Sequence, residues 1–146
     1  MNSNSGSLPE NRAVAAALLF ATDPRGLGGV ILQCMPGERC DRWLAGLRQW
    51  LPADTPWRKL PVNVDEDRLL GGLDFAATLA VGKPTYTTGL IESTDGGILL
   101  LSMAERLSAT TAALVGSVLD SGSVRIERDG SSRTAPASLG VIALDE

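Results

Sequence analysis

Residues 28–41 read GGVILQCMPGERCD, and this stretch decides the fold. The apolar run Val30-Ile31-Leu32 shows no alternation, which predicts a strand buried on both faces, as in a parallel sheet. A polar loop is predicted over residues 35–41. The helix predicted after it carries apolar side chains at helical spacing before Pro52, namely Trp43, Leu44, Leu47, Trp50 and Leu51. Strand, loop and helix in this order open an α/β unit.

An amphipathic helix is predicted upstream of this stretch, over residues 10–22. Ser7 and Glu10 have the spacing of a capping box at its start. Asp23-Pro24 ends it, because proline disfavours the helical conformation of the residue before it. Its apolar face is predicted to carry Val14, Leu18 and Ala21. We predict residues 1–9 to be a flexible tail and residues 10–146 to form one domain.

Downstream, caps and glycines mark the ends of further elements. Asp74 caps a helix that Gly82 closes, and Ser108 caps another that ends at Gly122. The acidic residues 65–67 suit the start of a short helix. The other predicted elements are strands over 57–60, 98–101 and 139–144, a helical turn over 89–94, and a hairpin with Asp129-Gly130 at its tip. The predicted buried face of the 108–120 helix is Leu114, Val115, Val118 and Leu119.

Composition excludes several classes of protein. The 146 residues are 44% hydrophobic with a net charge of −4 and no basic cluster, so neither disorder nor nucleic-acid binding is expected. No apolar run approaches the roughly 20 residues that span a bilayer. The polar N-terminus lacks the order of a signal peptide, which predicts a cytoplasmic protein.

The residue types present also restrict the chemistry. The sequence has no histidine, which excludes serine–histidine and cysteine–histidine catalysis. Its two cysteines, Cys34 and Cys40, cannot complete a four-ligand zinc site, and we expect no metal site. In a cytoplasmic protein we expect both to be reduced thiols in or near the core.

A buried strand, a glycine-containing loop and a helix, followed by a second apolar strand, is the layout of a P-loop nucleotide-binding domain. Such a loop, G-x-x-x-x-G-K-[ST], binds phosphates through backbone N–H groups and a lysine. Here its place is taken by a short segment without lysine, in which proline removes one amide donor. The segment consists of Met35, Pro36, Gly37, Glu38 and Arg39.

The second half of a nucleotide site, an apolar strand followed by Asp-Glu, is also missing. Residues 98–101 are followed by Ser102 and Met103, and methionine neither acts as a base nor binds magnesium. We therefore predict a vestigial nucleotide site and no ATP hydrolysis. Residues 141–146, VIALDE, offer an alternative magnesium motif, although a polar strand end is the interpretation we favour.

Residues 12–146 resemble the AAA+ region of magnesium chelatase subunits. The matching stretches, in order, are ATDP (21–24), GGV (28–30), LP (60–61), EDRLLGGLD (66–74), GLI (89–91), GGIL (96–99), ERDG (127–130) and PA (136–137). Because both halves of the nucleotide site depart from the family's ATPase (I) subunit, the resemblance is to the start of the D subunit. It implies a three-layer, P-loop NTPase-like (AAA+) domain with a mostly parallel sheet, incomplete at its C-terminus, with a β-hairpin insert.

The resemblance also implies a function. The family inserts magnesium into protoporphyrin IX for chlorophyll or bacteriochlorophyll, and its D subunit is a non-hydrolysing platform for the ATPase subunit. It implies a hetero-oligomeric ring with the I subunit and the large porphyrin-binding (H) subunit, in which the partner uses ATP and magnesium and this chain binds no cofactor. Candidate subunit contacts are Tyr86, Arg125, Arg128 and Asp129.

In the family's order the first strand is central, covered on one side by a fifth strand that would lie beyond Glu146. Without that strand, residues 28–34 form an apolar edge strand, and we expect this chain alone to be marginally stable or self-associating. Two alternatives to the D-subunit interpretation stay open: an atypical ATP-binding AAA+ protein, and an AAA+ relic that serves another complex.

Overall fold

The computed structural model describes residues 7–128 and 130–146, and the side chains of all of these except 7–10 and 131. Six strands are defined: β1 (Gly29–Gln33), β2 (Trp57–Leu60), β3 (Ile98–Leu101), β4 (Ser123–Arg128), β5 (Ser131–Pro136) and β6 (Gly140–Asp145). The α-helices of the described chain are α1 (Ser7–Thr22), α2 (Pro24–Leu27), α3 (Glu38–Trp50), α4 (Glu66–Leu70), α5 (Phe75–Val81) and α6 (Ala109–Ser121). Two 3₁₀ turns, Glu92–Thr94 and Ala104–Arg106, complete the described elements.

Four of the strands form a parallel sheet in the order β1-β6-β3-β2. β4 and β5 pair with each other, antiparallel, as a separate hairpin. The predicted parallel sheet and hairpin insert are therefore confirmed. Crossovers between parallel strands place helices on the sheet faces.

The sheet is covered on both faces, which gives three layers. On one face Ala17 and Phe20 of α1 and Leu47 of α3 pack against Ile98 and other apolar residues of β3 and β6. The opposite face is packed by α6 and the hairpin. Neighbouring residues of β3 alternate between the two cores, and all four are buried, as predicted. Each fully buried leucine or isoleucine contributes about 1.5–3 kcal/mol.

Local sequence signals set several helix ends as predicted. The side chains of Asp65, Asp74 and Ser108 accept hydrogen bonds from backbone N–H groups three residues on, at 2.7, 2.9 and 3.1 Å. Gly82 and Gly122 end α5 and α6 in the left-handed conformation, with φ of 72° and 67°. On α6, Val115 and Val118 are buried as expected.

The first helix differs from its prediction. Its predicted face was wrong in part: Ala21 packs against the core, but Ala17 and Phe20 are the buried residues, whereas Val14 and Leu18 are each 47% exposed. This helix is apolar on most sides, so spacing alone does not select the face that packs. It starts at Ser7 rather than residue 10, and the predicted capping box involves side chains outside the described ones. Residues 1–6 of the predicted tail also lie outside the described residues.

Strand β1 is an edge strand in the described chain. Val30 and Leu32 pack toward α1 and α3, but Ile31 faces the other way and is 74% exposed. The prediction that both faces of this strand are buried was therefore wrong, because the core on the side of α6 and the hairpin does not extend over Ile31. Among residues 7–128 and 130–146 only β6 pairs with β1. The expected apolar edge strand is confirmed. Unpaired N–H and C=O groups on such an edge are a template for pairing with another chain.

Placing a charge on this edge should reduce self-association. We expect the chain to sediment as a mixture of monomers and oligomers whose proportions depend on concentration. Ile31→Lys should shift this mixture toward monomer, because a lysine on an edge strand opposes strand pairing. Leu79→Lys is the matched control, since Leu79 is also exposed (85%) but lies on α5, away from the sheet. A wild-type chain that sediments as a monomer at every concentration would contradict this expectation.

Candidate functional site

The carboxyl ends of the four parallel strands meet at one edge of the sheet, where open α/β sheets bind ligands. β1 is followed by the segment leading to α3, β3 by Ser102 and Met103, and β6 ends at Asp145. The residues predicted to form a vestigial nucleotide site thus lie along this edge. Their role remains a prediction.

The loop after β1 is shorter than predicted, because α3 begins at Glu38 rather than after Asp41. Gly37 precedes the helix with φ of 150°, a conformation that favours glycine, and provides no side-chain cap. Met35, Pro36, Gly37, Glu38 and Arg39 are all exposed. Glu38 and Asp41 occupy the first helical turn, where their charges oppose the binding of an anion.

Cys34 and Cys40 form a disulfide across this loop, with Cα atoms 6.1 Å apart. The expectation of two reduced thiols was therefore wrong. The early start of α3 is the physical reason, since it brings Cys40 back to the end of β1. Their predicted location is confirmed, because Cys40 is buried in the core beneath α3 and Cys34 packs against the same core.

The second predicted half of the site follows β3. Ser102 is buried, and Met103 has φ of 50° and ψ of 51°, a left-handed conformation that is rare for residues with a side chain. Both residues line an open cleft of about 350 Å³ together with Lys59 and Asn63. Lys59 was not included in the predicted site. The parallel register Lys59↔Leu100, which brings it to this cleft, is the signal that identifies it.

The alternative magnesium motif lies close to the loop. β6 runs between β1 and β3, so Asp145 ends beside Gln33. The Gln33 Nε2 group donates a hydrogen bond of 3.2 Å to the Asp145 carboxylate, and the Cys34 N–H donates to the Asp145 carbonyl at 3.2 Å. No group of three acidic, histidine or cysteine side chains suited to a metal ion occurs in the part of the chain that the structure describes.

The predicted subunit contacts divide into two environments. Tyr86 and Arg128 line one small cavity of about 40 Å³, and Arg128 makes a 2.8 Å ion pair with Asp67 of α4. Arg125 instead lies on the outer face of β4, with its side chain 70% exposed and 2.9 Å from Glu127. Asp129 lies outside the described residues.

One ion pair was not foreseen from the sequence. Arg133 of β5 donates two hydrogen bonds to the Glu92 carboxylate, at 3.2 and 2.8 Å, which ties the hairpin to the turn before β3. The hydrogen bond to Glu92 raises the pKa of Arg133, so the guanidinium stays charged. The partners are 41 residues apart, and no local pattern links them.

The chain is similar in sequence to magnesium-chelatase subunits. The chain is 33% identical over 130 residues to the magnesium-chelatase 67 kDa subunit of Chlorobaculum parvum, covering 89% of this chain. It is 38% identical over 112 residues to the magnesium-chelatase 60 kDa subunit of Cereibacter sphaeroides, covering 77% of this chain. The chain is a homologue of the magnesium-chelatase 60 and 67 kDa (D) subunits. It spans about a fifth of their length, 21% and 19% respectively.

Solved structures give the fold of this D-subunit homologue. The complex between subunits BchI and BchD of magnesium chelatase matches with a TM-score of 0.65 and 27% identity, over 92% of this chain and 52% of that one. NtrX from Brucella abortus matches with a TM-score of 0.69 at 17% identity, which concerns the fold alone. The D-subunit homologue therefore has the predicted P-loop NTPase-like, AAA+ fold.

A third magnesium-chelatase subunit is less similar to the chain. The magnesium-chelatase 38 kDa subunit of Cereibacter sphaeroides is 29% identical over 127 residues, which cover 86% of this D-subunit homologue and 37% of the 38 kDa subunit. No protein-family model matches the chain. Among the described helices, none is long and apolar enough to cross a membrane.

The left-handed backbone at Met103 gives a prediction about stability. A glycine is expected to relieve strain of about 1 kcal/mol there, because only a residue without Cβ adopts this conformation readily. Met103→Gly should therefore be at least as stable as Met103→Ala, and both variants lose the contacts that the methionine side chain makes beyond Cβ. Urea denaturation of the two variants measures the difference. At an unstrained position alanine exceeds glycine by about 0.4–1 kcal/mol, so an alanine variant that is more stable by that full amount would contradict the strain.

Proposed function

We propose that this chain is the docking segment of a magnesium-chelatase D subunit that does not hydrolyse ATP. The observation that carries the proposal is the absence from the sequence of both a lysine in residues 35–39 and an acid pair after β3, where Ser102 and Met103 stand. Phosphoryl transfer in P-loop proteins depends on the lysine to neutralise charge and on the acidic residues to hold magnesium and position water. A site without either group lacks the electrostatic basis of catalysis.

The charges around the loop support the same proposal. The N-terminus of a helix attracts anions through its unpaired N–H groups. Here the first turn of α3 carries Glu38 and Asp41, with Arg39 between them. Pro36 has no N–H to donate, and the Cys34–Cys40 bond closes the loop on itself. A triphosphate would meet repulsion where P-loop proteins provide attraction.

We place the chain in a hetero-oligomeric ring in the bacterial cytoplasm. In this proposal the ATPase (I) subunit uses ATP and magnesium, and the large porphyrin-binding (H) subunit supplies protoporphyrin IX. The D subunit holds the ATPase subunits in register and transmits their motion to the H subunit. The resulting enzyme inserts magnesium for chlorophyll or bacteriochlorophyll biosynthesis, while this chain binds no cofactor. Similarity to the 60 and 67 kDa subunits and to the BchI–BchD complex supports this placement.

The hairpin carries the candidate docking surface. Arg125 projects from it with a largely exposed side chain, whereas Arg128 is partly buried against Asp67. Tyr86 lies half-buried in the cavity beside Arg128. Of these three residues Arg125 is therefore the most available to a partner, whereas Arg128 lies at the turn end of the hairpin, beside Tyr86.

One observation favours the alternative of an atypical ATP-binding site. Lys59 lines the cleft beside Ser102 and Met103, so a lysine is present at the carboxyl edge although the loop lacks one. The cleft lies at β2 and β3, two strands away from the loop on β1. A triphosphate bound there would have to contact the sheet edge in a way that does not use the start of α3.

The docking role predicts binding to the ATPase subunit. With an immobilised magnesium-chelatase 38 kDa subunit, we expect saturable capture of the chain, and Arg125→Glu to weaken it about tenfold by reversing an exposed charge. Arg106→Glu is the matched control, because Arg106 is equally exposed (70%) and also lies beside a glutamate. Its affinity should stay at the wild-type value.

The outcomes separate the proposals. A complete lack of capture would favour an AAA+ relic that serves another complex. Capture weakened equally by both substitutions would show a non-specific charge effect and remove the hairpin from the proposed interface.

A further inference from the structure

The Cys34–Cys40 bond encloses the exposed segment that runs from the end of β1 into the first turn of α3. Cys34 follows directly on the last residue of β1, and Cys40 is the third residue of α3. The five residues between them are all exposed. The bond is therefore the link that fixes the two ends of this segment, residues 35–39, at a Cα separation of 6.1 Å.

We propose that Cys34 and Cys40 are a reversible thiol–disulfide pair that closes segment 35–39 when oxidised and lets it open when reduced. This inference rests on the cytoplasmic location given under the proposed function, because disulfides of proteins in reducing compartments are mostly transient and catalytic or redox-sensing. A bond that joins residues so close in sequence constrains only the segment between them. The redox state of the pair thus controls this surface without being required for the rest of the fold.

The packing around the two sulfurs keeps the effect local. Cys40 is 4% exposed and lies among Leu47, Leu144 and other members of the core beneath α3. Cys34 is half-buried against the same core, and its N–H is bonded to the Asp145 carbonyl on β6. A reduced thiol packs as a small apolar side chain, so both positions stay filled after reduction. Strand pairing and the core are unaffected, and only segment 35–39 loses a restraint.

The difference in exposure assigns the two sulfurs different roles. The Cys34 thiolate, being the more accessible, attacks a low-molecular-weight disulfide such as oxidised glutathione and releases one thiol. The Cys40 thiolate then attacks the Cys34 sulfur of the mixed disulfide and releases the second thiol. In sum, two cysteine thiols lose two electrons and two protons, and one small disulfide gains them as two small thiols. Reduction by a dithiol reverses both steps.

The first test follows the redox state of the pair. The full chain is equilibrated with oxidised and reduced dithiothreitol at a series of ratios, alkylated, and weighed intact by mass spectrometry. We expect a shift between unlabelled and doubly labelled monomer, with little singly labelled chain, because the two sulfurs react as a pair. Two labels at every ratio, or cross-linking between chains, would overturn the proposal.

The second test measures opening of the segment. Trypsin cleaves after Arg39, and we expect this cleavage to be at least about tenfold faster in the reduced chain, because proteolysis requires a locally opened backbone. Cleavage after Arg25 is the internal control: Arg25 is also exposed but lies outside the closed segment, so its rate should not change. Equal cleavage rates after Arg39 in both redox states would overturn the proposal.

Cys34→Ser provides a variant that cannot close. Its cleavage after Arg39 should match that of the reduced wild-type chain under both conditions. The wild-type comparison uses no substitution, so it decides the question even if the variant fails to fold. Neither test involves ATP or a partner subunit, and so the outcome is independent of the proposed docking role.

Discussion

The parallel pairing of β6 between β1 and β3 is the interaction on which the candidate site depends. Five register pairs, from Gly29↔Val141 to Gln33↔Asp145, join β6 to β1, and four more join it to β3. Its residues alternate between the two cores: Ile142 lies with α1 and α3, and Val141 lies with α6. Because β6 bridges the strands that precede both halves of the site, its register brings the loop and Ser102 to one edge.

That edge has the layout of a nucleotide-binding fold but different side chains. Where P-loop proteins provide a lysine and a magnesium-holding acid, this chain has a closed loop flanked by acidic residues and a serine followed by a methionine. Asp145, at the end of β6, lies beside the loop, and Gln33 donates a hydrogen bond to it. In the function we propose, the fold is retained because its surface organises other subunits, while the polar contacts at the edge stabilise the sheet itself.

What the sequence predicts well is local, and what it misses depends on distant neighbours. The caps at Asp74 and Ser108 were found because cap and helix are adjacent in the chain. The exposure of Ile31 was not found from its apolar run, since it depends on which elements cover that face of β1. The Cys34 disulfide and the Arg133–Glu92 ion pair were missed because each requires the folded backbone. For the candidate site, the sequence located the loop and the end of β3, but the contribution of Lys59 comes from strand register.

In the function that we propose, this chain keeps a nucleotide-binding fold but does not hydrolyse ATP. Its most direct test is release of inorganic phosphate from magnesium-ATP by the purified chain, measured beside the magnesium-chelatase 38 kDa subunit under the same conditions. We predict that the purified chain releases no inorganic phosphate above the rate in buffer alone. Sustained release that co-purifies with the chain and is lost in both Lys59→Ala and Asp145→Asn would contradict it, because it would show a working site built from the residues at the sheet edge.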